Sequence, residues 1–231
     1  FRAEWNALSA EHKPARLLIV VALGTAAFSM QDILLEPYGG EVLGLSVGAT
    51  TILTALLASG SLAGFALAAM KLANGSNPYR LAAFGTMVGI VAFSGVILSG
   101  AMGSALLFRA STVLIGFGGG LFAVGTLTAA MALATKMQCG LALGAWGAVQ
   151  ATATGVAMGA GGVLRDLAAS LAHGGQLGPA LNDATAGYAV VYYLEIILLF
   201  AALAAIGPLF KRALVGDEPE RRHFGLSEMP G

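Results

Sequence analysis

Charge is scarce in this sequence. Only 10% of its 231 residues are Asp, Glu, Lys or Arg, against roughly 25% in an average soluble chain. The 12 basic residues balance the 12 acidic ones, and no basic tract of any length appears, so nothing argues for nucleic acid. Cysteine is rarer still. Cys139 stands alone, which excludes an internal disulfide and any thiol metal cluster and leaves it a small apolar filler. The three histidines, His12, His173 and His223, all fall outside the apolar runs, so no His pair stands at metal-binding spacing. No serine or cysteine has a base partner visible in the sequence. Catalysis therefore finds little support, and no enzyme is expected. The chain starts at Phe1 without a signal-peptide pattern, and it is expected to be part of something longer.

What is abundant is apolar surface and glycine. The chain is 57% hydrophobic with 33 glycines, and its mean hydropathy is +0.81. Apolar runs long enough to cross a bilayer recur, which predicts an all-α polytopic membrane protein with six transmembrane helices. The spans are expected at about 15–36, 44–70, 80–100, 106–133, 141–164 and 188–210. Residues 1–14 read as a linker or interfacial helix, 15–210 as the bundle and 211–231 as a hydrophilic tail. A longer loop, 165–187, carries Arg165, Asp166, His173 and Asp183. All basic residues except Arg109 and Arg165 fall on one side, so the positive-inside rule places both termini in the cytoplasm.

That topology gathers the embedded charges in the outer half. The stretch Phe28 to Gly40 closes the first span with Gln31, Asp32 and Glu36, and Pro37 with Gly39-Gly40 is expected to end the helix there. Arg109 lies one turn into the fourth span and is the expected ion-pair partner of Asp32 or Glu36. Glu195 enters the sixth span by about two turns, roughly 10 Å. Gln150, with Trp146, Thr152 and Thr154, gives the fifth span groups able to meet a ligand or a neighbouring helix. Two readings stand side by side for these residues: a structural ion pair fixing helix register, or a polar lining for a ligand or proton.

Glycines recur at four-residue spacing: Gly60 and Gly64, Gly85 and Gly89, Gly116 and Gly120, Gly155 and Gly159. Each pair puts small residues on one helix face, the pattern that lets helices approach closely in lipid. Gly118-x-Gly120-x-x-Ala123 matches a dinucleotide fingerprint formally, but it lies inside an apolar span with no preceding strand and is rejected.

Four stretches carry a resemblance. The run Met30 to Thr50 (MQDILLEPYGGEVLGLSVGAT), Leu114 to Thr128, Leu141 to Ala151 and Gly187 to Glu195 are similar to the PucC/LhaA family of light-harvesting assembly proteins. That family is a bacteriochlorophyll-delivery branch of the major facilitator superfamily. Its members carry two six-helix halves, and this chain resembles the C-terminal one. The resemblance implies an assembly factor for antenna complexes in the intracytoplasmic photosynthetic membrane of a bacterium. Such a factor would deliver bacteriochlorophyll as cargo, chaperone antenna polypeptides in the membrane, or both. Its partners would be antenna polypeptides, the N-terminal six-helix half, membrane lipids and pigment-synthesis enzymes. The alternative is a proton-coupled facilitator transporting a small molecule or pigment. Where facilitators carry a loop motif of Gly, Asp and basic residues, only Gly64, Lys71 and Arg80 match and the motif's Asp is absent, which weighs against an active transport cycle.

Overall fold

A computed structural model describes residues 12–133, 139–173 and 185–216. Among them the regular structure is all helix, with no strand. Helix α1 (His12–Ser29) passes through a 3₁₀ turn (Met30–Ile33) into the short α2 (Leu35–Glu41). Then follow α3 (Val47–Ala73), α4 (Pro78–Met102), α5 (Ala105–Leu133), α6 (Cys139–His173) and α7 (Thr185–Gly216). Six helices are long and apolar enough to cross a membrane: 14–33, 47–73, 78–102, 105–133, 140–172 and 185–209.

Local chemistry sets the ends of the middle helices. The Ser46 hydroxyl accepts from the Ala49 amide at the start of α3, and the Asn77 side chain accepts from the Tyr79 amide at the start of α4. Pro78 takes the first position of α4, where its missing N–H is not needed. Gly103 ends α4 at φ 61°, a left-handed conformation that glycine adopts without a steric penalty.

Two boundaries differ from expectation. Pro37 does not end the first helical segment. It sits in the first turn of α2, where proline is tolerated, and helix continues through Gly39 and Gly40 to Glu41. Residues 165–173 belong to α6 rather than to a loop, so Arg165 and Asp166 project from a helix. The backbone of α7 likewise stays helical to Gly216, beyond the expected start of the tail at 211. Asp183, His223 and residues 1–11 and 217–231 lie outside the described residues.

Glycine builds a dense slab from α3, α4 and α5. A side chain on Gly60 would strike the Val113 carbonyl, and one on Gly116 the Leu57 carbonyl, so α3 and α5 lie backbone to backbone. A Cβ on Gly64 would stand 2.5 Å from the Phe117 carbonyl oxygen, and one on Gly120 2.7 Å from that of Ser61. On the other face of α5, Gly85 of α4 meets the Gly118 carbonyl at the same close range, while Gly89 abuts the rings of Phe28. Gly155 and Gly159 do not follow the pattern. Nothing lies within 4 Å of either, because α6 stands at the periphery with only 11% of its most apolar window buried.

The main core joins α1, α2, α4, α5 and α7 through Leu35, Tyr38, Phe93, Phe108, Tyr188 and Tyr192. Tyr38 is its hub, with the rings of Phe108, Tyr188 and Tyr192 each 5.3 Å away. Its hydroxyl donates to the Val96 carbonyl at 3.1 Å. Burial pushes this phenol above its ordinary pKa and keeps it a donor.

Candidate functional site

Three features form the candidate site: a buried polar cluster at the helix break, a clasp at one end of the bundle, and an apolar groove on its flank.

The break between α1 and α2 positions the cluster. At the 3₁₀ turn the ladder loosens, and Gln31 turns inward with only 1% of its surface exposed. Its Nε2 donates to Asp32 Oδ1 at 2.5 Å and lies 3.4 Å from the Phe28 carbonyl. Its Oε1 is buried without a partner. Facing the turn from α7 is Glu195, fully buried, with no partner for either carboxyl oxygen. Its polar neighbours include the Asp32 carboxylate, the Gln31 backbone and the Tyr192 hydroxyl. Tyr192, one turn earlier on the same face, is also fully buried with a free hydroxyl. Because α7 starts at Thr185, Glu195 lies about 15 Å along its axis. That is deeper than the two turns expected, and near the middle of the 185–209 span.

The clasp replaces the expected ion pair. Arg109 is half-buried, its Nε has no partner, and among the described residues it forms no ion pair with Asp32 or Glu36. Glu36 instead accepts from the Thr54 hydroxyl at 2.8 Å. The cation that pairs is Arg165, which reaches Glu41 at 2.6 Å, Asp166 at 2.9 Å and the Tyr188 hydroxyl at 2.7 Å. Tyr188 donates in turn to Glu41 at 2.7 Å, so α2, α6 and α7 meet in one polar knot. Gly187 makes room for it, since a Cβ there would lie 2.6 Å from the Arg165 carbonyl oxygen. The cause of the mismatch is the two helix extensions. Continuing α2 to Glu41 and α6 past Arg165 brings together groups that a loop would have separated.

The groove runs between α1 and α6, with a volume of about 550 Å³. It is lined by small apolar residues such as Ala22, Ala26, Ala153 and Ala157, with Met30 at the helix break and Thr152 as a polar member. Gln150 is half-buried on α6 and lines neither this groove nor the polar cluster. On the same helix Trp146 Nε1 donates to Thr126 at 3.3 Å, and Thr154 lies 3.3 Å from the Ser29 hydroxyl. These contacts tie α6 loosely to α5 and α1.

Of the residues singled out in the sequence, Gln31, Asp32 and Glu195 come together, while Glu36, Arg109 and Gln150 stand apart from them. Sequence reasoning missed Glu41, Tyr188 and Tyr192. The spacing Tyr188-x-x-x-Tyr192-x-x-Glu195 was a visible signal, since i, i+4 and i+7 line one helix face with polar tips. Among the described residues no group of three or more His, Cys, Asp or Glu could hold a metal ion.

A family model described as PUCC protein matches residues 1–214. The chain belongs to the PucC family. Its relatives include an "uncharacterized protein in puhA-bchM intergenic region" of Rhodobacter capsulatus, 51% identical over all of this chain and 49% of the relative. Protein PucC of Cereibacter sphaeroides is 45% identical over 93% of the chain and 46% of its own length. A more distant relative, named bacteriochlorophyll synthase 44.5 kDa chain, of R. capsulatus, is 30% identical over 88% of the chain and 46% of the relative. The chain thus spans about half the length of the curated relatives it matches. No solved structure matches this PucC-family chain.

Proposed function

We propose that this chain is part of a membrane factor that assembles bacterial light-harvesting antenna complexes, and that the α1–α6 groove receives bacteriochlorophyll during the hand-over to antenna polypeptides. PucC-family membership supports the assembly role. The groove is the single observation that carries the pigment. It opens sideways on a helix bundle, is almost wholly apolar, and at about 550 Å³ falls within the range of small-molecule sites. A hydrophobic macrocycle entering from lipid needs such a lateral opening, whereas a polar solute does not. Antenna polypeptides and the remaining half of the protein are the partners in this reading. In this reading the protein is a multi-pass protein of the photosynthetic membrane, and the distribution of basic residues along the sequence supports both termini being cytoplasmic.

The test is a near-infrared absorption spectrum of the full-length protein, purified gently from a pigment-synthesising host, beside Ala26→Phe and Ala153→Phe variants that fill the groove. Bacteriochlorophyll that survives washing and drops several-fold in both variants is the expected result. Pigment-free protein that still captures antenna polypeptides would overturn the pigment role and leave a chaperone of antenna helices.

A further inference from the structure

We infer that Glu195 is a proton-exchanging site in the middle of the bundle, facing the 3₁₀ break beside Asp32 and separated by Tyr192 from a cavity one turn away. The inference does not depend on the assembly role, because it stands on the geometry of the cluster alone.

Four oxygen atoms on three side chains carry it. Both carboxyl oxygens of Glu195, the Gln31 Oε1 and the Tyr192 hydroxyl are buried with no partner among the described residues. Buried polar groups are normally satisfied, and a carboxyl left bare inside a membrane bundle is costly unless it has a function. The place is also unusual. Glu195 faces the one point where the first helical segment is discontinuous, and broken helices near the middle of a bundle are where membrane proteins hold ions and protons.

The surroundings favour a proton over a metal cation. Among described side chains on the elements packed against α7, the charged groups are Arg16 on α1, Asp32 on the turn, Glu36 and Glu41 on α2, Arg80 on α4, and Arg165 and Asp166 on α6. Tyr79 of α4 and Tyr38 of α2 are the phenols there, and Tyr188, Tyr192 and Tyr193 share α7 itself. Of the charged groups, Asp32 alone is an electrostatic neighbour of Glu195. Two carboxyls without a third acidic ligand make a poor metal cage, which leaves a proton as the fitting occupant.

A cavity of about 270 Å³ is lined by Tyr38, Gly100, Thr185 and Tyr192, among others, and it reaches the residue one turn before Glu195. Its volume exceeds the share of several water molecules, roughly 30 Å³ each. The Glu195 carboxyl and the Tyr192 hydroxyl are closed off from this cavity, so when the Glu195 O–H bond breaks the proton reaches cavity water only as Tyr192 moves aside, and it returns by the same route. Asp32 is exposed at the turn, so its charge can respond to whatever lies beside α1, and Gln31 Nε2 ties its carboxylate to the turn that faces the buried acid.

The test is pH-difference infrared spectroscopy of the full-length protein in liposomes, without pigment or antenna, so its failure is separate from failure of the assembly role. A deuterium-sensitive carboxylic-acid carbonyl band should titrate reversibly in the parent protein. It should vanish in Glu195→Gln and persist in Glu36→Gln. Asp32→Asn should keep the band but move its midpoint by about one pH unit, the scale of one strong neighbouring charge. A parent protein without such a band, or a band that survives intact in folded Glu195→Gln, would overturn the proposal. If Glu195→Gln does not fold, Asp32→Asn decides: an unmoved midpoint overturns the coupled site, and a displaced one supports it.

Discussion

A methyl group on Gly116 would run into the Leu57 carbonyl, while the same methyl on Gly159 would meet nothing. Equal motifs therefore carry unequal weight. Gly116→Val should lower the stability of the full-length protein in detergent by about 1–3 kcal/mol, the usual cost of overpacking. Gly159→Val should leave the thermal unfolding midpoint within a degree or so, because exposed sites away from special features change little. Equal sensitivity of the two positions would mean that the α6 face is covered by another helix. The Gly-x-x-x-Gly spacing was plain in the sequence, but which faces are filled was not. Spacing reports the face of a helix, and only the arrangement of neighbours says what that face meets.

At the scale of elements, the clasp decides how α6 is held. Its central pair is partly solvated, with Arg165 and Glu41 side chains 27% and 49% exposed, so Arg165→Met should cost only about 0–1 kcal/mol of global stability. The local effect should be larger. Hydrogen–deuterium exchange should accelerate in residues 161–172 and in α2 and stay unchanged in α4 and α5. Uniform acceleration would show that the clasp is part of the global fold instead of a local tie. Five of the six spans were legible to within a few residues, because an apolar run of that length has few alternatives, whereas the fifth ends at 172 instead of 164. The ends were not. Pro37 read as a breaker because proline stops a helix it meets in the interior, but the 3₁₀ turn restarts the helix just before it and changes its position from interior to first turn. That change moved Glu41 into reach of Arg165 and left Arg109 without the partner its charge suggested.

For the molecule as a whole, packing is lopsided. The slab of α3, α4 and α5 is closed by backbone contacts, whereas α6 lines an open flank beside α1. In pigment-free protein, lipid chains should occupy that flank. A tryptophan introduced as Val156→Trp, at a position 67% exposed on the groove wall, should then be strongly quenched by brominated lipids. A tryptophan shielded from those lipids would mean that a helix covers the groove and would remove the lateral opening on which pigment entry depends. The groove could not be read from sequence, since its alanines look the same as those of a tight seam.

The order of packing along the chain has a temporal consequence. Helix α1 packs on α7, α6 and α5, not on its neighbour α3, whereas α4 and α5 pack as a hairpin. Roughly 150 residues separate Ser29 from Thr185, which at 5–20 residues per second is about 10–30 s of synthesis. Throughout that interval Gln31 and Asp32 have emerged without Glu195, and α1 lacks its main support. The first span thus meets α5 and then α6 during synthesis but waits for α7, and the ribosome finishes the bundle by delivering the helix that shelters it.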